Sequence, residues 1–135
     1  MTPLTIYLAR LFGLGLVLMC ALFAIRPEAA LPAIQSMMAS PGLLLIAGLF
    51  TLIAGLAMVI GHNRWSGGGV TIAVTVLGWL TLIKGAAIVA TPPRTLSNVY
   101  HGMGYPGSFR AMMVVAGLAG GALVWASFIR TKPGT

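Results

Sequence analysis

Acid is what this sequence lacks most. Aspartate is absent and Glu28 is the single glutamate, so Asp plus Glu number 1 in 135 residues. A two-carboxylate hydrolytic site needs a flanking pair, and a Ser/His/Asp relay needs its third member; neither can be assembled here. Cysteine is equally scarce. Cys20 stands alone, which excludes an internal disulfide and any CxxC-type metal pattern. Charge of either sign is sparse at 7%, against roughly 25% in soluble domains. A fold in water with so thin a polar coat would expose large apolar patches.

What is present is apolar surface. The chain is 59% hydrophobic, with a mean hydropathy of +1.00. Its 8 Lys and Arg give a net charge of +7. Nucleic-acid binding needs such cations clustered on one face. Here they stand singly at the edges of apolar runs, the distribution of interfacial anchors and topology signals. No nucleic-acid partner is expected; the expected partner is the lipid bilayer.

A helix crosses the hydrocarbon with about 20 apolar residues. Four segments meet that length, at about 5–25, 42–60, 70–90 and 109–129. Arg10 interrupts the first and Lys84 lies in the third, while Arg110 and Arg130 frame the fourth. Arg26-Pro27 closes the first run, because the residue before proline is driven out of the helical region. Ser40-Pro41-Gly42 opens the second, with Pro41 suited to the first helical position. Gly67-Gly68-Gly69 precedes the third and reads as a flexible hinge. Thr91-Pro92-Pro93 ends the third, and Lys132-Pro133-Gly134 follows the fourth. A signal peptide is the competing reading of the first segment, but its positive start is poor and its apolar run is long enough to span. The fold expected is therefore all-α, a single membrane domain of four transmembrane helices in an antiparallel bundle.

Three connections remain. The short one, 61–69, makes the second and third spans antiparallel neighbours. Residues 26–41 are moderately apolar and suit an amphipathic stretch lying along the interface. Residues 91–108 are rich in turn formers and read as a loop, with Tyr100 and Tyr105 in the headgroup zone. Four spans put both termini and the 61–69 loop on one side, with Arg10, Arg64, Arg130 and Lys132. The other side holds Arg26, Lys84, Arg94, Arg110 and Glu28. The cations tie, and the N-terminal amine tips the termini towards the cytoplasm.

Helices in lipid gain little from apolar burial, so close approach of small residues must supply attraction. The second span offers Ala47, Thr51 and Gly55 on one face. The third offers Thr71, Thr75, Gly78 and Gly85. The fourth carries Gly117 and Gly121 in GxxxG spacing, with Ala116 and Gly120 alongside. Such faces serve packing within the bundle first, and leftover ones serve self-association or docking onto other membrane-protein subunits.

Lys84 lies roughly six residues from its helix end, about 9 Å along the axis. Its stem can carry the ammonium to the interface. The sharper reading is a paired charge, and topology leaves Glu28 as the only acid on that side. A Glu28–Lys84 pair is the expectation. His62 and His101 suggest a haem, but they fall on opposite sides of the membrane, some 30 Å apart. One iron cannot take both, and no cofactor or metal is expected. The triglycine lacks the lysine and Ser/Thr of a phosphate loop. Small multidrug exporters are also four-span proteins of this size, but they need a glutamate in their first helix, where this chain has Arg10.

The run Gly61-His62-Asn63-Arg64-Trp65, followed by Thr75-Val76-Leu77-Gly78-Trp79-Leu80-Thr81-Leu82-Ile83-Lys84-Gly85, resembles a group of small, uncharacterised bacterial inner-membrane proteins sharing a GHNxW…TxLGWLxLxKG pattern. The match covers about 30 residues across the second and third spans. Arg64 and the triglycine stand where a more apolar or aromatic connection is expected. The resemblance implies a bacterial membrane location and no reaction. His62, Asn63 and Trp65 form a polar-aromatic belt at one interface, Lys84 anchors the other, and Trp79 is expected to be buried between them.

The function expected is that of a non-enzymatic accessory or scaffolding subunit of a larger membrane complex. A small transporter or channel component, using Lys84 to attract an anion or lipid headgroup, is the alternative. A pigment- or lipid-binding subunit using His62 is a third.

Overall fold

The computed structural model describes residues 2–102, 104 and 107–129. Tyr105, Arg130 and the Lys132-Pro133-Gly134 terminus lie outside the described residues, as does the side chain of Tyr100. The chain forms α1 (Pro3–Ile25), α2 (Pro27–Ala39), α3 (Pro41–Gly61), α4 (Gly69–Ala90), α5 (Pro93–Gly102) and α6 (Phe109–Ile129). Four of these, α1, α3, α4 and α6, have 21 to 23 residues and are apolar enough to cross a membrane. At 1.5 Å per residue they are about 30–35 Å long, the thickness of the hydrocarbon. The protein is an all-helical integral membrane protein.

Proline sets most of the helix starts. Pro3, Pro27, Pro41 and Pro93 each open a helix, where a missing N–H costs nothing and the fixed φ fits. Thr2 caps α1, its Oγ1 accepting from the Thr5 N–H at 3.3 Å. The stretch expected to lie along the interface is the helix α2. The stretch read as a loop, 91–108, contains the helix α5. Its polar composition hides it, and Pro93 begins that helix instead of merely ending α4.

The spans associate as two tight antiparallel pairs, α3 with α4 and α1 with α6, and contact between the pairs is much sparser. Glycine makes both seams. On the first, a Cβ at Gly55 would fall on the Leu82 backbone, and one at Gly85 on the Leu52 backbone. Gly48 meets Ile88 and Val89, and Gly78 meets Met58. On the second seam, Gly13 and Gly120 face each other, and Gly117 meets Cys20. Gly121 faces open space. The working face of α6 is therefore that of Gly117 and Gly120, rotated from the Gly117–Gly121 line drawn from GxxxG spacing.

The two pairs are joined through a small core at one end. It contains Ala9 of α1, Met58 of α3 and Val70 and Val74 of α4, with Phe12, Leu77 and Ala126 packed against it. These residues lie near the start of α1 and α4 and the end of α3 and α6. That end of the molecule carries the candidate site.

Candidate functional site

The buried polar side chains among the described residues, Thr5, His62, Thr71, Thr75 and Ser127, all lie at this same end. In hydrocarbon each unsatisfied polar group is costly, so their partners decide what the cluster does. Ser127 donates its hydroxyl to the Val124 carbonyl at 2.7 Å. Thr71 donates to Gly67 O at 3.3 Å. Both are local bonds that return a hydroxyl to the backbone of its own turn.

Thr75 does more. Its Oγ1 accepts the Arg64 N–H at 3.1 Å and lies 2.8 Å from the Arg64 carbonyl, 3.1 Å from that of Thr71 and 3.4 Å from that of His62. One hydroxyl thus holds the connection between α3 and α4 to the first turns of α4. The sequence pattern marks Thr75 only as a small packing residue. Nothing in its spacing indicates that the side chain would tie down a loop eleven residues back.

The triglycine completes the connection. Gly67 and Gly68 have φ of +110° and +109°, a region that residues with a Cβ avoid. Gly68 serves as N-cap and Gly69 begins α4. The segment expected to be a hinge has a defined positive-φ path, held to α4 by two bonds: Gly67 O accepts from Thr71 Oγ1 and Gly68 O accepts from the Ile72 N–H.

His62 terminates α3, its N–H bonded to the Met58 carbonyl at 2.7 Å. Its side chain is only 2% exposed, and its Nε2 is buried with no hydrogen-bond partner among the described residues. Beside it, Asn63 Oδ1 accepts from Trp65 Nε1 at 2.9 Å and from Trp79 Nε1 at 3.4 Å. Of the expected belt, Asn63 and Trp65 are bonded to each other and Trp79 joins them, while the His62 Nε2 is bonded to none of them. Trp79, expected to be buried, instead lies at the surface, 37% exposed, with its indole turned to Asn63. Arg10 is half-buried at the same end, its guanidinium carbon 4.2 Å from the centre of the Phe128 ring. This cation–π contact places a charge in α1 against α6, and helps explain how a span tolerates an arginine.

The expected Glu28–Lys84 pair does not form. Glu28 is exposed on α2 and Lys84 is exposed on α4. α2 packs on α1, α3 and α5, and no ion pair joins Glu28 to Lys84 among the described residues. Sharing a membrane side fixes depth only and leaves position around the bundle open, and Glu28 and Lys84 stand on different helices, α2 and α4. His101 is exposed on α5, on the face opposite His62.

A groove of about 460 Å³ runs along the outside of the α1–α6 pair. Gly121 and Val17 line it, with Leu14, Val124, Trp125 and Phe128 around them. Its lining is apolar throughout, and the absence of a side chain on Gly121 opens it. Comparison of the chain with family models, curated proteins and solved structures gives no match.

Proposed function

We propose that the protein is a non-enzymatic accessory or scaffolding subunit, docking against other membrane-protein subunits through the Gly121 groove. The carrying observation is that Gly121 and its neighbours form an apolar cleft on a helix pair whose internal seam is already filled by Gly13 and Gly120. Small residues not used within a bundle let another helix approach closely. Outward apolar surface supports the same reading: at most 22% of any span's most apolar stretch is buried within the chain. The charge pattern and the GHNxW-type resemblance favour a bacterial inner membrane with cytoplasmic termini.

The transporter alternative needs a water-accessible cavity at Lys84. Lys84 is exposed on α4 and does not line the Gly121 groove, so the docking reading is the better supported. The test is purification of the chain at native expression level in mild detergent. Co-migration with a larger complex, or a stable homo-oligomer, is expected. A strictly monomeric particle whose mass is that of one chain and its detergent would overturn the proposal.

A further inference from the structure

At the end of the bundle opposite the buried polar cluster, the last turn of α1, the start of α6 and Leu31 of α2 line a half-open pocket of about 660 Å³. That is within the roughly 300–1,000 Å³ of small-molecule sites. Phe23, Leu31, Phe109 and Met113 contribute apolar walls, and Arg110 contributes a cation. The Phe23 and Phe109 rings meet at 6.1 Å between centroids and form the wall between α1 and α6. Leu31 belongs to α2, so a helix outside the four spans contributes to one side of the pocket.

Its depth selects the ligand. α1 ends at Ile25 and α6 begins at Phe109, so the pocket lies where two spans end, the level at which hydrocarbon gives way to headgroups. Its apolar lining suits an acyl chain, and Arg110, in the first turn of α6, suits a phosphate. A guanidinium binds phosphate through paired, charge-assisted hydrogen bonds. The same face carries Arg26, Lys84, Arg94 and Arg110 against Glu28 alone, and a positive surface favours anionic over zwitterionic lipid. A soluble anion could use Arg110, but it would leave the aromatic walls uncovered.

We propose that this cavity binds an anionic phospholipid, with its phosphate on Arg110 and the upper part of an acyl chain between the Phe23–Phe109 pair and Leu31. The site is separate from the Gly121 groove, so it stands or falls independently of the docking proposal.

The test reconstitutes the full chain in liposomes of equimolar phosphatidylglycerol and phosphatidylcholine with identical acyl chains. Lipids that stay with the protein after extraction are then measured by native mass spectrometry. Phosphatidylglycerol should be enriched. Arg110→Gln should reduce that enrichment about fivefold, as expected for loss of one interfacial cation, while Arg64→Gln, at the exposed α3–α4 connection on the opposite face, should leave it unchanged. Equal retention of the two lipids, or equal loss from both substitutions, overturns the site. Displacement of the lipid by millimolar inorganic phosphate would show a free-anion site and overturn it too. A photoactivatable phosphatidylglycerol, used with the unsubstituted protein, removes dependence on how the variants fold. Label should appear in peptides carrying Phe23, Leu31 or Met113, and label confined to α3 and α4 overturns the proposal.

Discussion

Gly13 and Gly120 face each other so closely that a Cβ on either would lie 2.8 Å from the other's carbonyl oxygen. No rotamer change relieves such a clash, because backbone sets it on both sides. The α1–α6 pair can close only while both positions remain glycine. One residue further along α6, Gly121 meets nothing within 4 Å.

This contrast gives a paired prediction. Gly120→Leu should force α1 and α6 apart, costing about 1–3 kcal/mol or more from overpacking, and should lower the midpoint of unfolding in detergent. Gly121→Leu should leave that midpoint nearly unchanged while filling the groove beside Trp125, and any oligomer or complex should dissociate. Chromatography with light scattering, alongside thermal unfolding, reads both effects. If the two variants unfolded alike, the difference between seam and groove would be lost.

The same pair shows where the sequence is readable. The four spans are legible to within about two residues, because apolar length and opening prolines are both written in the chain. The face of α6 is less legible. Adjacent residues on a helix are about 100° apart, and Gly117, Gly120 and Gly121 all fit some small-residue spacing. Only the partner helix decides among them, and the Gly13 that does so carries no distinguishing mark in α1. The Glu28–Lys84 pairing fails for a related reason, since topology gives membrane side and leaves azimuth open. α5 is hidden because a polar ten-residue helix has no apolar run to announce it. In the candidate site, the nearness of Asn63 and Trp65 is written in the chain, but the joining of Trp79 to them and the role of Thr75 depend on a loop path that only the folded chain defines.

The turn into α4 should be sensitive to side chains at its crest. Gly68 has φ +109°, so Gly68→Ala should cost about 1–3 kcal/mol of backbone strain. Gly42→Ala is the control: nothing lies within 4 Å of its Cβ position, it sits in the first turn of α3, and alanine there should be neutral or slightly stabilising. Unfolding midpoints of the two variants check this. A Gly68→Ala protein as stable as the parent would restore the hinge reading of the triglycine.

Thr75 and His62 are both buried polar residues at the same end, yet their removal should have opposite consequences. Thr75 Oγ1 accepts from the Arg64 N–H and lies within bonding distance of the Arg64 carbonyl. Thr75→Val keeps the shape and strands those backbone groups, which should cost about 1–3 kcal/mol. His62 Nε2 is buried without a partner among the described residues, so its desolvation is uncompensated. His62→Phe keeps a planar ring and removes that atom, and the variant should melt no lower than the parent. Hydrogen exchange of the 62–68 amides separates the two cases, with faster exchange expected in Thr75→Val alone. A His62→Phe protein that unfolded as readily as Thr75→Val would mean that the imidazole has a structural partner here, and its burial would then need another explanation.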